Sequence, residues 1–370
     1  MDGGSLIVTP NEHVFTVQAA TYRDPIQDWL RDALAPNASE AGVPVNADTV
    51  RGLPAAWYSI CKIAGHVGSL PLNLYERVND RDSRVASTHP AYWLMKHLPS
   101  PHCTASVFRE TIQHHAILHG NGRAAISRNL RGEPSELTVM QPLKWAIVLT
   151  QPDDPGIPQR KYHVRVDRPD VFINDDDVLH IMGLSDDGIG GIGIIDAAKQ
   201  SLGLAIAQQR QAVMSTKNGA KVKFLLSAPP GTFAKVEDAQ EFITNFNRYH
   251  SDPENVDKAG LLRNGITPHT ISQSNQEAQA IEARKFSRQD IGLLMQVEQM
   301  LGDDTSVSYN SLEMKNQAYL TNCLMRWLVR WQEQCAVKLL TQAQFNSENY
   351  YFRFVTAALL RGTTKERYEV

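Results

Sequence analysis

Cysteine is sparse and carries no motif: Cys61, Cys103, Cys323 and Cys335 are the 4 in 370 residues, none in a CxxC pair. That spacing indicates neither a disulfide framework nor a zinc site, and it suits a reducing cytoplasm. No apolar run approaches the roughly 18 residues that span a bilayer, and residues 1–10 lack the basic-then-apolar pattern of a secretion signal, so no membrane role is expected. Positive charge is not in excess either. With 37 Lys plus Arg against 40 Asp plus Glu, the formal charge of -3 argues against non-specific clamping of nucleic acid. Any DNA this chain meets must pass rather than be gripped. GxSxG, P-loop and Cys/His catalytic patterns are missing, as are internal repeats and low-complexity tracts. What remains, 42% hydrophobic and 21% charged, is ordinary globular material long enough for two or three packed units.

Hydrophobic spacing divides the chain. Residues 1–46 mix Gly, Pro, Asn and Asp around a short apolar patch at 29–34, and read as an arm that finds order only against a neighbour. From 55 to 69, Trp57, Ile60, Cys61, Ile63, Ala64 and Val67 recur at three and four, which predicts a helix burying one face and stopping before Pro71. Residues 72–78 alternate as a short strand; 106–119 repeat Val107, Phe108, Thr111, Ile112, His115 and Leu118 at helical spacing, closed by Gly120-Asn121-Gly122. Short β-branched segments at 124–129, 136–140, 146–150, 161–166 and 178–182 then predict strands, an α+β module rather than βαβ repeats.

A long helical pattern at 192–214 ends on Lys217-Asn218-Gly219. A strand at 222–226, a helix at 236–249 and strands at 259–262 and 267–272 make a small inserted β-α-β unit. A second long helix covers 275–300, Gly302-Asp303-Asp304-Thr305-Ser306 breaks it, and a third begins near Ser311. In that third helix Leu320, Leu324, Trp327, Trp331, Cys335 and Leu339 form one apolar stripe. At about 1.5 Å per residue, a 23-residue helix reaches roughly 35 Å, so two of them make a hairpin whose tip stands away from the main body. Their polar faces, with Gln200, Gln208, Gln209, Arg210, Gln289, Gln296 and Gln299, suit either a wet channel inside a ring or plain solvated surface.

Three patterns raise chemistry. Gly188-x-Gly190-x-x-Gly193 matches a dinucleotide fingerprint and would make the chain a nucleotide-binding enzyme. Yet Ser185-Asp186-Asp187 separate it from the strand, and residues 208–213, where an acidic residue on the next strand belongs, still read as helix. The bland reading is a flexible turn into a helix. His115 and His119 stand at i and i+4, a helical metal pair, with His114 beside them but neither a following Glu nor a third ligand. Asp175-Asp176-Asp177 could be a carboxylate cluster for a metal, and reads more simply as a solvated turn. Neither metal nor cofactor is expected.

From about residue 42 to 368 the sequence resembles the portal proteins of long-tailed, double-stranded-DNA bacteriophages. Residues 55–75, AAWYSICKIAGHVGSLPLNLY, look like that family's opening helix and "SLPL.LY" strand, and His89-Pro90 follow at the usual interval. Leu118-His119-Gly120-Asn121-Gly122 resembles its "LHGN" turn, Asp177-Val178-Leu179-His180-Ile181 its "DVLHI" strand, and residues 187–195 its "DG..G.SPI" lead into the first stem helix. Lys217-Asn218-Gly219-Ala220 resembles the "NGA" that ends that helix. The order of these motifs is the strongest sign. The pattern departs at Gly193-Ile194, where Ser-Pro is usual, and near Met300-Leu301-Gly302, where "VPP" is expected.

The resemblance implies an α+β portal fold assembled as a ring of about twelve copies, each subunit offering one face to the next. It implies an arm (1–46), an α/β wing (47–190), a first stem helix (191–219), a small β-α-β clip (220–274) and a second stem helix (275–300). A tunnel loop (301–310), a long wing helix (311–342) and a short helical crown (343–370) follow, with the chain expected to continue past Val370. Such a ring is no enzyme: it sits at one capsid vertex of the virion after synthesis in the host cytoplasm, and passes double-stranded DNA inward in packaging and outward in ejection. Its implied partners are further copies of itself, major capsid protein, scaffold, terminase large subunit and the head-tail connector. A tail or baseplate ring protein is the structural alternative. The loop offers Gly302, Asp303, Asp304, Thr305, Ser306, Val307, Ser308, Tyr309 and Asn310 to the duplex. Lys217, Lys221, Lys223, Arg284, Lys285 and Arg288, near the clip end of the stem, either meet phosphates or pair between subunits.

Overall fold

The computed structural model describes residues 14–16, 39–79, 81–150, 159–164, 172–217, 224–227, 229, 232–233, 236–251, 265–270, 274–297, 309–347 and 349–356. The chain divides into two compact units, Met1–Gly203 with Gln289–Val370, and Leu204–Arg288.

In the first unit, β1 (Val14–Thr16) precedes α1 (Ala47–Arg51), whose first turn is closed by a capping box between Asn46 and Thr49. Pro54 opens α2 (Pro54–Ser69), a position where its missing N–H costs nothing. β2 (Leu72–Arg77), β3 (Ser83–Val85) and α3 (Pro90–Lys96) follow, α3 capped by the His89 ring accepting from the Ala91 N–H at 3.1 Å. α4 (Ala105–His119) ends on Gly120 at φ 72°, the left-handed cap the sequence suggested. Then come β4 (Asn121–Arg128), β5 (Pro134–Met140), β6 (Trp145–Thr150), β7 (Gln159–Val164), β8 (Phe172–Asn174) and β9 (Val178–Met182). β4 pairs antiparallel with β5 on one side and β9 on the other, while β1, β6, β7 and β8 form a second antiparallel sheet in that order. Met140, Ile147, Tyr162 and Val178 are buried together between them, and Ile189 packs onto this cluster.

The long helical pattern after β9 is two helices, α5 (Ile194–Ala197) and α6 (Lys199–Lys217), separated at Ala198 (φ -114°, ψ 24°). The second unit holds β10 (Phe224–Ser227), α7 (Val236–Ser251) and β11 (Thr267–Thr270), with β10 and β11 antiparallel: a small strand-helix-strand insert, as expected. The expected strand at 259–262 lies outside the described residues. α8 (Ser274–Leu294) returns to the first unit, and the division between the units falls within α6 and α8. The last elements are α9 (Tyr309–Tyr319), a π-helical segment (Leu320–Leu324), α10 (Met325–Leu339), α11 (Gln342–Asn346) and β12 (Tyr350–Phe354).

The stripe of the third helix is buried throughout: Leu320, Leu324, Trp327, Trp331, Cys335 and Leu339 all belong to the core. Trp331 meets Phe108 edge-on and donates its indole N–H to Gln113 Oε1 at 2.9 Å, joining α10 to α4. Other expectations shift. On α2, Ile60, Ile63, Ala64 and Val67 are buried but Trp57 is 46% exposed and Cys61 is exposed too; on α4, Val107 is 52% exposed. The apolar arc is wider than the neighbouring elements can cover. The described parts of the arm order against this chain itself, not only a neighbour: β1 pairs with β6, Val43 and Val45 are buried, and the Glu40 N–H donates to Gln200 Oε1 at 2.9 Å. Where a helical crown was expected, α11 leads to β12, which pairs antiparallel with β2 because Phe352 and Phe354 alternate inward; residues 357–370 lie outside the described part.

Candidate functional site

Two places bear on function: the hairpin around the second unit, and the glycine loop that leads into α5 and α6. In the hairpin, Arg284, Lys285 and Arg288 are exposed on α8, and Lys217 is the last residue of α6. Lys221 and Lys223 lie outside the described residues. Ser287 donates to Gln208 Oε1 at 2.7 Å, so this glutamine joins the two helices and is not simply part of a polar lining. Of the expected tunnel loop, Gly302, Asp303, Asp304, Thr305, Ser306, Val307 and Ser308 lie outside the described residues. Tyr309 and Asn310 open α9, two residues before the expected start, and so belong to its first turn rather than to a loop.

The glycine loop, residues 183–193, is built around its own backbone. Gly188 has φ 72°, and the Asp187 carboxylate accepts from the N–H groups of Ile189 (2.8 Å) and Gly190 (3.1 Å), which holds its pKa below the usual carboxylate range. A Cβ on Gly191 or Gly193 would overlap main-chain atoms of Gly120 and Leu118. Of the three glycines in the dinucleotide match only Gly193 is needed for close backbone approach, Gly188 supplies a left-handed turn, and α5 after them is only four residues long.

One side chain clamps the contact. Asn121 donates both amide hydrogens, to His119 O at 3.0 Å and Gly191 O at 2.9 Å, while its Oδ1 accepts from the Gly191 N–H at 2.9 Å and faces His180 Nε2 at 2.9 Å. Beyond His180 lie Tyr162, whose hydroxyl is 3.0 Å from Nδ1, then Asp175 at 3.2 Å, then Lys338 Nζ, 2.7 Å from Asp175 Oδ2. The three aspartates are thus not a solvated turn. Lys338, brought by α10 and with a side chain only 7% exposed, pairs with Asp175 at 2.7 Å and lies 3.7 Å from the outward, 95% exposed Asp176; Arg128 pairs with Asp177 at 2.9 Å. The sequence offers Asp175 only as one of an aspartate triplet and Asn121 and His180 only within the family motifs, and it singles out neither Tyr162 nor Lys338.

Among the described residues no group of three or more His, Cys, Asp or Glu side chains could hold a metal ion. His115 and His119 are pushed down to about 4, first by burial and then by His114 and Arg51. An unfolded histidine takes up its proton near pH 6.5, so these two hold stability fully above that value and lose it as pH falls from about 6.5 towards 4. We expect the double substitution His115→Gln, His119→Gln to flatten the fall in thermal midpoint across that window; an unchanged slope would sink the assignment.

The comparisons with known proteins agree with the sequence motifs. A family model described as "Phage portal protein" matches residues 54–370. The portal protein of Enterobacteria phage HK97 is 24% identical over 335 residues, 89% of this chain and 73% of its own length. The probable portal protein of Streptomyces phage phiC31 is also 24% identical, covering 89% of this chain and 72% of its own. Among solved structures, an HK97-family phage portal protein from Corynebacterium diphtheriae aligns with a TM-score of 0.61 at 14% identity, over 86% of this chain and 98% of that one. A chain from the neck of an empty gene transfer agent particle, computed with C6 symmetry, gives a TM-score of 0.61 at 20% identity, over 84% of this chain and 83% of that one.

Proposed function

The chain belongs to the phage portal protein family, and from that premise we propose that copies of it close into a ring of about twelve at one capsid vertex, the channel for DNA packaging and ejection. The family is structural rather than enzymatic, which agrees with the lack of catalytic motifs in the sequence. The observation that carries the reading is the family match over residues 54–370. A related chain in the neck of a native gene transfer agent particle, computed with C12 symmetry, supports the ring order. Exposed Trp57 and Tyr58 on α2 and Trp93 on α3 are large apolar side chains of the kind subunit contacts cover.

In this reading residues 301–308 carry the tunnel loop, and α9 and α10 anchor it to the wing. Duplex DNA carries one charge per about 1.7 Å of its axis and must slide without being trapped, which a weakly charged lumen permits. Arg284, Lys285 and Arg288 meet phosphates in passing or acidic groups of the adjoining subunit. Terminase docks first and the head-tail connector later, with major capsid protein and scaffold holding the ring in the shell.

End views of the purified full chain by electron microscopy test the ring: closed rings of about twelve with a central hole wide enough for a duplex are expected, while compact dimers or rings of another order would contradict it. Deleting residues 302–308 is expected to leave ring formation intact and to block packaging or retention of DNA in infected cells. Loss of the ring itself would remove the loop from the gate role.

A further inference from the structure

We propose that neighbouring copies meet through α2 of one and α10 of the next, two exposed helix rows that differ in sequence and fit each other. This pairing rests on the ring reading above and names the surfaces that close the ring. On α2, Trp57, Cys61, Gly65 and Ser69 follow at steps of four with Tyr58 beside them, and none of the five is buried. On α10 the steps of four run Met325, Val329, Glu333 and Val337, all exposed and opposite the buried stripe of Trp327, Trp331 and Cys335. Both rows thus hold large apolar side chains against water.

Within one copy the two rows stand apart. On its buried side α10 reaches α4, where Trp331 meets Phe108 edge-on and donates to Gln113. α2 packs on another side of α4, with Gly68 so close that a Cβ there would come within 3.0 Å of Glu110 Cβ. The exposed rows therefore look out on different sides of the packed helices, as a closed ring of unlike faces requires. Fit and charge select a second copy as the occupant. Ridges at steps of four interlock when two helices cross at about −50°. A Cβ on Gly65 would meet nothing within 4 Å, so the α2 row carries a notch that a side chain such as Val329 can enter. Beside that row stand Lys62 and Glu110, the latter near enough to Cys61 for its charge to act on the thiol; Arg326 and Glu333 put the same two signs on α10. Among the described residues none of these four is in an ion pair, so Lys62 can face Glu333, and Glu110 can face Arg326, across the contact.

Thiol cross-linking on rings of the full chain tests this, since Cys61 is exposed and already supplies one partner. Met325→Cys, Val329→Cys, Glu333→Cys and Val337→Cys are introduced singly, closed rings are verified by electron microscopy, and a short bismaleimide joins thiols within its reach. The Val329→Cys ring and that of at least one neighbouring position are expected to give a ladder climbing past the dimer on a denaturing gel. Adding Cys61→Ser is expected to remove the ladder, and wild-type rings treated alike give the background from Cys103. Closed rings that link at none of the four positions, or only into dimers once the thiols are consumed, overturn the pairing and leave the ring reading standing. A wild-type chain that closes no ring removes that reading and the pairing with it. Val329→Glu, a change at an exposed site, is expected to lower ring yield about tenfold or more by placing a carboxylate in an apolar contact, with the circular dichroism of the chain unchanged. An undiminished ring yield would count equally against α10.

Discussion

Replacing Arg109 with leucine is expected to cost about 3–5 kcal/mol of unfolding free energy, read from the denaturant midpoint. Arg109 stands on the buried face of α4 with no carboxylate beside it; its guanidinium instead donates to the carbonyls of Val67 (3.3 Å), Gly68 (2.6 Å), Leu70 (3.2 Å) and Met95 (2.6 Å). Two of those acceptors are orphaned by sequence. The residue four places after Val67 is Pro71, and four after Met95 is Pro99; neither has an N–H to close a last helical turn. Arg109 supplies what the prolines withhold, at the negative ends of α2 and α3. Burial pushes its pKa down to about 10, so it remains charged at neutral pH. Leucine fills the space but leaves four buried carbonyls without that donor, and lysine, a point charge on a flexible stem, restores only part of the loss. A leucine variant within about 1 kcal/mol of the parent would show that water replaces the guanidinium.

The second large effect is expected at Gly120, and its contrast with Gly188 isolates the cause. Both glycines have φ 72°, but a Cβ at Gly188 meets nothing within 4 Å, whereas one at Gly120 would overlap main-chain atoms of Gly191 and Ile192. Gly188→Ala is therefore expected to cost only the left-handed strain, about 1 kcal/mol. Gly120→Ala must also part the loop from the end of α4, disturbing the bond from the Gly183 N–H to Gly120 O (2.7 Å) and the Asn121 clamp, at a cost on the order of 4 kcal/mol. Paired thermal unfolding of the two variants reads the difference. Equal costs would mean that backbone conformation alone, not close approach, explains the glycine at 120.

Local patterns were legible where local physics decides them. The stripe from Leu320 to Leu339 announced its burial because a helix turns its sequence into a face at fixed intervals, and Gly120 announced the end of α4 because a left-handed cap asks for glycine. The strand-helix-strand insert and the order of family motifs were readable for the same reason: each is a short-range pattern repeated along one chain. Neither the polar clamp nor the partners of Arg109 could be read that way. Asn121 and His180 are 59 residues apart, Asp175 and Lys338 163, and no periodicity in either segment specifies that they meet. Trp57 and Val107 misled for the complementary reason, since a helix can offer an apolar flank that its neighbours do not reach. The sequence by itself determined which segments coil, extend or turn, and which family they belong to. Only the tertiary structure decided which buried polar groups satisfy one another, because a hydrogen bond depends on atoms brought within about 3 Å across the fold, and spacing along a chain carries no record of that distance.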